Sequence, residues 1–594
     1  MNFDATPLNI KTVLSVKQRY IIPRNQREFS WERLQLDEFW NDVIRNVKSS
    51  EDGKSFEMSE YFIGTIVLSG EDSDDVLEVV DGQQRLSVVT ILLSLISRAL
   101  RKNNSDALAE DIFKTYIVTV SDTLDRDSLD SSGESLIEKL SRNTGRNYFK
   151  TSFQDRTECK QDTTCEEDQK MLYAGLFFKR KLQKTSLCRA LLKKDDSDSF
   201  TKNDHNFCLN ALYRMITNYL KVVRISVGKG DDAYDIFEVL NARGINLSSI
   251  DLIKNKIFQA CTKTYPLDQA KTKWDYIVNT LGDRDGNNSI VDYVRCWWLS
   301  RFNYIGEEQL YRAFKREIND PATPLNAALF LNELHADVDL YVKIVNPSMD
   351  DWKQADQRGI YESLNALSIF NVSIPRPYIL SLLRKRRDKI RALPQANLII
   401  ALKQMESFHF KFNAICRLRP SGIDSRYSVL AVKLSRADNK RDCLSSINEM
   451  IEYVNTKKPP IETYVANFQK NIVYTNNKTS HKKLVIYIFE RMERELCGSR
   501  EMKFDIVSLE HIGSQKDFDE ACVGNMGNLL PLCFSINEAC KSNPLSKKID
   551  EYRKSRLEVV KQFVAEKEAT SGSWSKDDVD SRTLRIANLT YSQM

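Results

Sequence analysis

Residues 76–96 read VLEVVDGQQRLSVVTILLSLI, and the change of pattern within them decides the fold. Residues 76–80 are a short β-rich run. Residues 86–96 are almost continuously apolar, interrupted by Ser87, Thr90 and Ser94. That suits a buried helix and falls short of the roughly 20 apolar residues that span a bilayer. Between strand and helix, Asp81-Gly82-Gln83-Gln84-Arg85 makes a glycine-containing turn. Such a turn presents backbone N–H groups at the positive end of a helix dipole, a setting for phosphate or another anion. Arg85, in the first helical turn, can add a bidentate contact. Asp81 and Gln84 also have the spacing of a capping box, which explains those two residues but requires neither the second glutamine nor the arginine.

Outward from this turn the chain keeps changing character. Residues 61–68 form a second β-rich run, ahead of an acidic turn at 70–75, and residues 20–23 end an extended piece. Helical spacing runs through Leu34, Phe39, Val43 and Val47. Residues 120–170 are polar and lack periodicity, which reads as a mobile insertion or long surface helices. A strand-like run at 222–227 leads to two helices hinged at Arg243-Gly244. From 266 to 469 the pattern is helical, without a repeat of fixed period. Short extended pieces at 507–509 and 526–532 precede basic helices. We therefore expect an α+β multidomain chain divided at 1–265, 266–470 (a helical connector) and 471–594.

Composition narrows the function. The 594 residues exceed one core and imply about three or four domains. With 42% hydrophobic and 28% charged residues the chain reads as an ordinary globular protein. Its start lacks the basic-then-apolar pattern of a signal peptide, so a cytoplasmic location is expected. The 12 cysteines contain no CxxC pair, and reduced, buried thiols are the simplest reading. Only five histidines are present, so a metal centre would rest mainly on oxygen ligands, favouring Mg2+ or Mn2+. The net charge of +5 decides nothing, but its distribution is uneven. One basic cluster runs from Arg384 through Lys385, Arg386, Arg387 and Lys389 to Arg391. A second comprises Lys541, Lys547, Lys548, Arg553, Lys554, Arg556 and Lys561. Either can neutralise phosphates or be a solvated helix face.

Two further constellations carry chemistry. Ile22-Pro23, Gln26-Arg27, Phe29 and Trp31 pack polar groups between a strand end and a helix start. Asn241, Arg243-Gly244, Leu247 and Asp251-Leu252-Ile253-Lys254 join two helices, although Arg243 and Lys254 taken singly read as surface charges. Near the end of the chain Glu510-His511 is followed by Gly527-Asn528-Leu529, by Asn537 and by Lys547. This order fits the ββα-metal site of HNH nucleases, where a histidine is the base for water and oxygen ligands hold a hard cation on the phosphate. Alone, Glu510-His511 is as well read as an incidental surface pair. Adjacent strand residues face opposite ways, so both reach one site only at an irregular strand end.

The order of the three N-terminal motifs resembles the ParB/sulfiredoxin-like domain of GmrSD-type restriction enzymes, which are modification-dependent and include phosphorothioate-sensing relatives. The C-terminal pattern resembles the HNH domain that accompanies it. The resemblance implies that Asp81, Gly82, Gln83, Gln84 and Arg85, with Arg27 and Lys254, bind a nucleoside triphosphate, GTP or ATP. It implies His511 as general base, Asn528 as the residue that orients it or its strand, and Glu510 and Asn537 as ligands of Mg2+ or Mn2+. Gln26, Lys547, Lys548, Lys554 and Arg582 are expected on DNA, and Trp574 in packing. Two departures stand out: Asn25 replaces an aromatic residue linked in some relatives to sensing the modification, and Gly513-Ser514 replaces a residue-proline pair. The expected function is an NTP-responsive, metal-dependent DNA endonuclease of anti-phage defence acting on modified phage DNA, without membrane association. A single site per chain implies nicking, or double-strand cutting if two chains pair. The rivals are a nucleotide-hydrolysing DNA-binding regulator with a degenerate nuclease, a DNA-binding adaptor, and a toxin acting on RNA.

Overall fold

The computed structural model describes the chain apart from residues 1–2, 24–25, 27, 51–53, 72, 122–133, 143–147, 157–161, 193–199, 229–248, 262–267, 284–287, 323–324, 389–391, 420, 476, 499–507, 514–517, 542, 570–572 and 594. It forms two compact units, Met1–Thr262 and Lys263–Met594. The motif at 241–248, Arg27, Asn25, Lys389, Arg391 and the loop at 514–517 lie outside the described residues.

Among the described residues the first unit has ten strands: β1 (Phe3–Asn9), β2 (Arg19–Ile22), β3 (Val47–Ser49), β4 (Phe56–Met58), β5 (Tyr61–Ser69), β6 (Val76–Asp81), β7 (Val118–Val120), β8 (Leu136–Glu138), β9 (Leu140–Arg142) and β10 (Leu220–Val227). Six make one mixed sheet in the order β1-β10-β5-β6-β2-β9, and the others form two-stranded ribbons. Between β5 and β6 the register slips, with Val67 facing Asp81 and Leu68 facing Val79. Val80 is thus an extra residue, and a bulge of this kind re-aims the strand end. It directs the chain into the 20-residue helix Gln83–Lys102. Every residue from 86 to 97 of that helix is buried, as expected of a helix apolar all round. Each large side chain, such as Leu92 or Ile96, contributes about 1.5–3 kcal/mol by its burial. Helices Asp106–Ile112, Glu166–Lys181 and Lys202–Arg214 pack around it.

The polar stretch 120–170, expected as a mobile insertion or long surface helices, includes sheet structure. Its described part supplies the edge strand β9, which pairs parallel with β2 through Tyr20 and Leu140. Three-residue strands are too short to show a period-2 pattern.

In the second unit, helices run from Gln269–Gly282 to Lys482–Cys497. The described part of the first basic cluster, Arg384 to Arg387, sits on the helix Arg376–Asp388 and is engaged with neighbouring protein groups. Arg384 is buried against Asp337 (2.7 Å) and Ser300 Oγ (3.0 Å). Lys385 donates to the carbonyls of Ser435 and Ala437, at the end of helix Ile423–Arg436. Arg386 and Arg387 are likewise engaged, with Leu393 O and with Asp337.

The C-terminal part pairs β11 (Ser508–His511) with β12 (Leu529–Leu532), setting Glu510 opposite Leu530 and His511 opposite Leu529. Helices Phe534–Cys540, Leu545–Tyr552, Glu558–Ala569 and Lys576–Gln593 follow. Ile512, Leu530, Leu532, Ile549, Tyr552 and Phe563 form its core. The buried Glu493 caps helix Glu558–Ala569 through the N–H groups of Glu558 and Val559, at 2.7 and 2.9 Å. Among the described residues no helix is long and apolar enough to cross a membrane.

Candidate functional site

The turn at 81–85 depends on two glycines. Gly82, at φ +88°, lies in the left-handed region, and a Cβ there would press on Ile66 and the Thr65 carbonyl. Gly64, at φ +113°, leaves the space that Arg85 fills, since a Cβ would stand 2.8 Å from Arg85 Nε. Arg85 Nη1 donates to Thr65 O at 3.0 Å and lies 3.7 Å from Asp81. One fifth of the Arg85 side chain remains exposed.

The glutamines do something else. Gln84 accepts from the Ser30 N–H at 3.1 Å and donates to Glu28 O at 3.0 Å. Gln26 donates to the carbonyl of the bulged Val80 at 2.7 Å and accepts from Gln83 at 3.5 Å. Phe29 N–H donates to Glu167, which is paired with the buried Arg142. Gln83 and Gln84 are buried and Gln26 is half-buried, and these side chains hold Gln26, Glu28 and Ser30 against the turn, so the two buried glutamines are engaged with protein groups where nucleotide contacts were expected. The Asp81 and Arg85 side chains remain partly exposed. Lys254, on helix Ser249–Ala260, lies 5.9 Å from the Phe258 ring centroid.

At the other centre, Glu510 and His511 sit in a regular ladder and face opposite ways. His511 stacks on Tyr474, with ring centroids 5.8 Å apart and planes 6° from parallel. Its Nε2 meets the Tyr474 carbonyl at 3.1 Å. Tyr474 is held in turn by Gly524 O, which accepts its N–H at 2.9 Å. Burial, with a smaller contribution from the Lys548 ammonium, pushes the imidazole below its usual range against the opposing pull of that carbonyl. Glu510 lies on the other face, bound by Lys548 Nζ at 2.7 Å and Tyr552 Oη at 3.3 Å. Its burial raises its carboxyl pKa.

Asn528 is fully enclosed. It exchanges hydrogen bonds with Gly513 N and O (2.8 and 2.9 Å), donates to Val523 O (2.9 Å) and accepts from Trp574 Nε1 (2.9 Å). Its capacity is filled, which makes it a positioning residue for the segment after His511. Asn537, half-buried on helix Phe534–Cys540, makes no side-chain hydrogen bond among the described residues.

Two expected DNA contacts are corrected by burial. Lys548 is 3% exposed, and Arg582, 6% exposed, donates to the carbonyls of Gly527 and Leu529. Burial lowers the Arg582 pKa to about 10. Within the second basic cluster Lys554 pairs with Glu551, Arg553 with Asp550 and Glu568, and Lys561 with Glu558. Lys541, Lys547 and Arg556 are exposed and carry no ion pair among the described residues.

The metal expectation meets a difficulty. Among the described residues no three His, Cys, Asp or Glu side chains converge as a metal centre. Glu510 already holds an ammonium, and His511 points away from it. These donors do not fit a divalent ion at Glu510. Nothing in the sequence pointed to Tyr474, because a backbone carbonyl has no residue signature. Tyr552 was readable, four residues beyond Lys548 on one helix face.

The family models for the GmrSD restriction endonuclease N-terminal domain and C-terminal domain match residues 10–258 and 462–589. The chain belongs to the GmrSD restriction endonuclease family, and it is a DNA endonuclease of restriction defence. No curated protein matches the chain.

Proposed function

We propose that this endonuclease cuts by HNH-type base catalysis at His511, and that GTP or ATP at the turn 81–85 governs the cut. The observation that carries the reading is the hydrogen bond to Tyr474. A carbonyl only accepts, so Nε2 holds the ring proton and Nδ1 keeps its lone pair. Burial favours the same neutral ring. Nδ1 then takes a proton from water as the water oxygen attacks phosphorus, the bond to the leaving oxygen breaks, and that oxygen is protonated from solvent. Such base catalysis contributes about 10²–10⁴-fold. No step is routed through a metal, and EDTA treatment reads out the expected Mg2+ or Mn2+ requirement directly.

At the turn 81–85, an arginine fixed before the ligand arrives supports a phosphate contact, because less ordering is needed on binding. The proposed substrate is modified phage DNA, nicked by one chain or cut through by a pair of chains. The test compares the parent with His511→Ala on supercoiled modified plasmid, with and without each nucleotide. Equal cutting by both would remove His511 from the mechanism. One observation favours a second reading, a nucleotide-hydrolysing DNA-binding regulator with an inactive nuclease: the ammonium already seated on Glu510. That reading expects nucleotide hydrolysis without nicking.

A further inference from the structure

A lysine that is 3% exposed persists only where its ammonium is fully engaged. Lys548 has three oxygen partners: Glu510 Oε1 at 2.7 Å, His511 O at 2.7 Å and Ile512 O at 3.2 Å. Tyr552, one helical turn on, donates to the same Glu510 oxygen. A divalent ion on Glu510 would stand beside this ammonium, and like charges in a low-dielectric site repel strongly. His511 is therefore held twice, its ring by Tyr474 and its peptide by Lys548.

We propose that Lys548 is a positioning residue for the base: its ammonium is the resident cation of the Glu510 site, and it fixes the strand end from which the His511 ring projects. Glu510 serves to hold Lys548. This rests on the reading of His511 as the base.

Two measurements on the full chain test it. Mn2+ binding without DNA, followed by electron paramagnetic resonance, compares the parent with Glu510→Gln. Equal binding, or none in either, is expected, and a loss of tenfold or more in the variant overturns the assignment. The second is plasmid cleavage with melting temperatures. Lys548→Met should slow cutting at least tenfold, Lys548→Arg should recover part of the rate, and adding Glu510→Gln to Lys548→Met should cost little more. A folded Lys548→Met chain cutting at the parent rate, a folded Arg variant with no recovery, or a second full loss in the double variant each overturns it. If Lys548→Met does not fold, the near-isosteric Glu510→Gln carries the test: slower cutting is expected, and the parent rate overturns it. A parent that cuts nothing defeats the nuclease reading instead, and the Mn2+ comparison still decides what occupies Glu510.

Discussion

The turn at 81–85 and the strand end at 508–511 are both polar breaks beside a buried strand, yet they place their charges in opposite ways. At the first, neutral amides are buried and the cation Arg85 stays partly exposed. At the second, the Glu510–Lys548 ion pair is buried, and the half-buried His511 ring has its pKa lowered by burial. Buried amides are tolerated when both ends are bonded, as in Gln84. A buried ion pair is tolerated only with further hydrogen bonds, which Tyr552 and two carbonyls supply. The difference separates two tasks. On the proposed reading, an anion is attracted by the charge left at the surface, whereas a proton is accepted by a ring whose burial disfavours its charged form.

The largest effect should come from breaking the second task. His511→Ala should reduce nicking of supercoiled plasmid by about 10²–10⁴-fold, with DNA binding and nucleotide turnover close to the parent. Equal losses in all three would mean that the variant disturbs folding and not the base.

At the turn, Arg85→Ala should weaken nucleotide binding by about 1.5–3 kcal/mol, the value of a charged hydrogen bond. Equilibrium titration with GTP and ATP measures it, and unchanged affinity would leave the turn a helix cap. Gln84→Ala provides the contrast. Leaving the Ser30 N–H and Glu28 carbonyl unmatched should cost about 1–3 kcal/mol of stability, seen by thermal melting. Nucleotide affinity of the folded fraction should change less than in Arg85→Ala.

These contrasts show what the sequence made legible. The strand-turn-helix at 76–102 was plain, because a β-rich run and a fully apolar helix differ in period and length. Burial was not. Lys547 and Lys548 are neighbours in sequence, and only the fold makes one exposed and the other an internal cation. Gln84 and Arg85 are adjacent polar residues, and contacts with Glu28 and Ser30, far away in sequence, decide which of them is covered. β9 was missed because its place in the sheet comes from pairing with β2 and not from its own three residues.

The same division predicts which cations meet DNA. Neutralising Lys541, Lys547 and Arg556 together should flatten the salt dependence of DNA binding by up to about 0.9 slope units for each phosphate left without its cation. Neutralising the internally paired Arg553, Lys554 and Lys561 should change the slope less. Equal slopes for both triple variants, measured from about 50 to 200 mM salt, would place the DNA path elsewhere.

The smallest effect is a displacement along the pH axis. Burial and the Lys548 ammonium hold the His511 pKa below 6.5, outweighing the Tyr474 carbonyl that favours the protonated ring. The neutral base is therefore retained to lower pH than in a histidine at its ordinary pKa, and the acid limb of the cleavage rate should have its midpoint below pH 6.5. The stability sign agrees. In the window between the folded pKa and 6.5 the unfolded chain binds the proton and the folded chain does not. This residue's contribution is thus complete above pH 6.5 and is lost as pH falls through that window. Tyr474→Ala keeps the carbonyl but removes the stacked ring, so the imidazole becomes more exposed and its pKa rises. The acid limb should move toward 6.5 by less than its whole original displacement, since Lys548 remains. A limb that stays put in Tyr474→Ala, in a chain shown to be folded by its melting curve, would mean that the stacked ring does not set the protonation of the base.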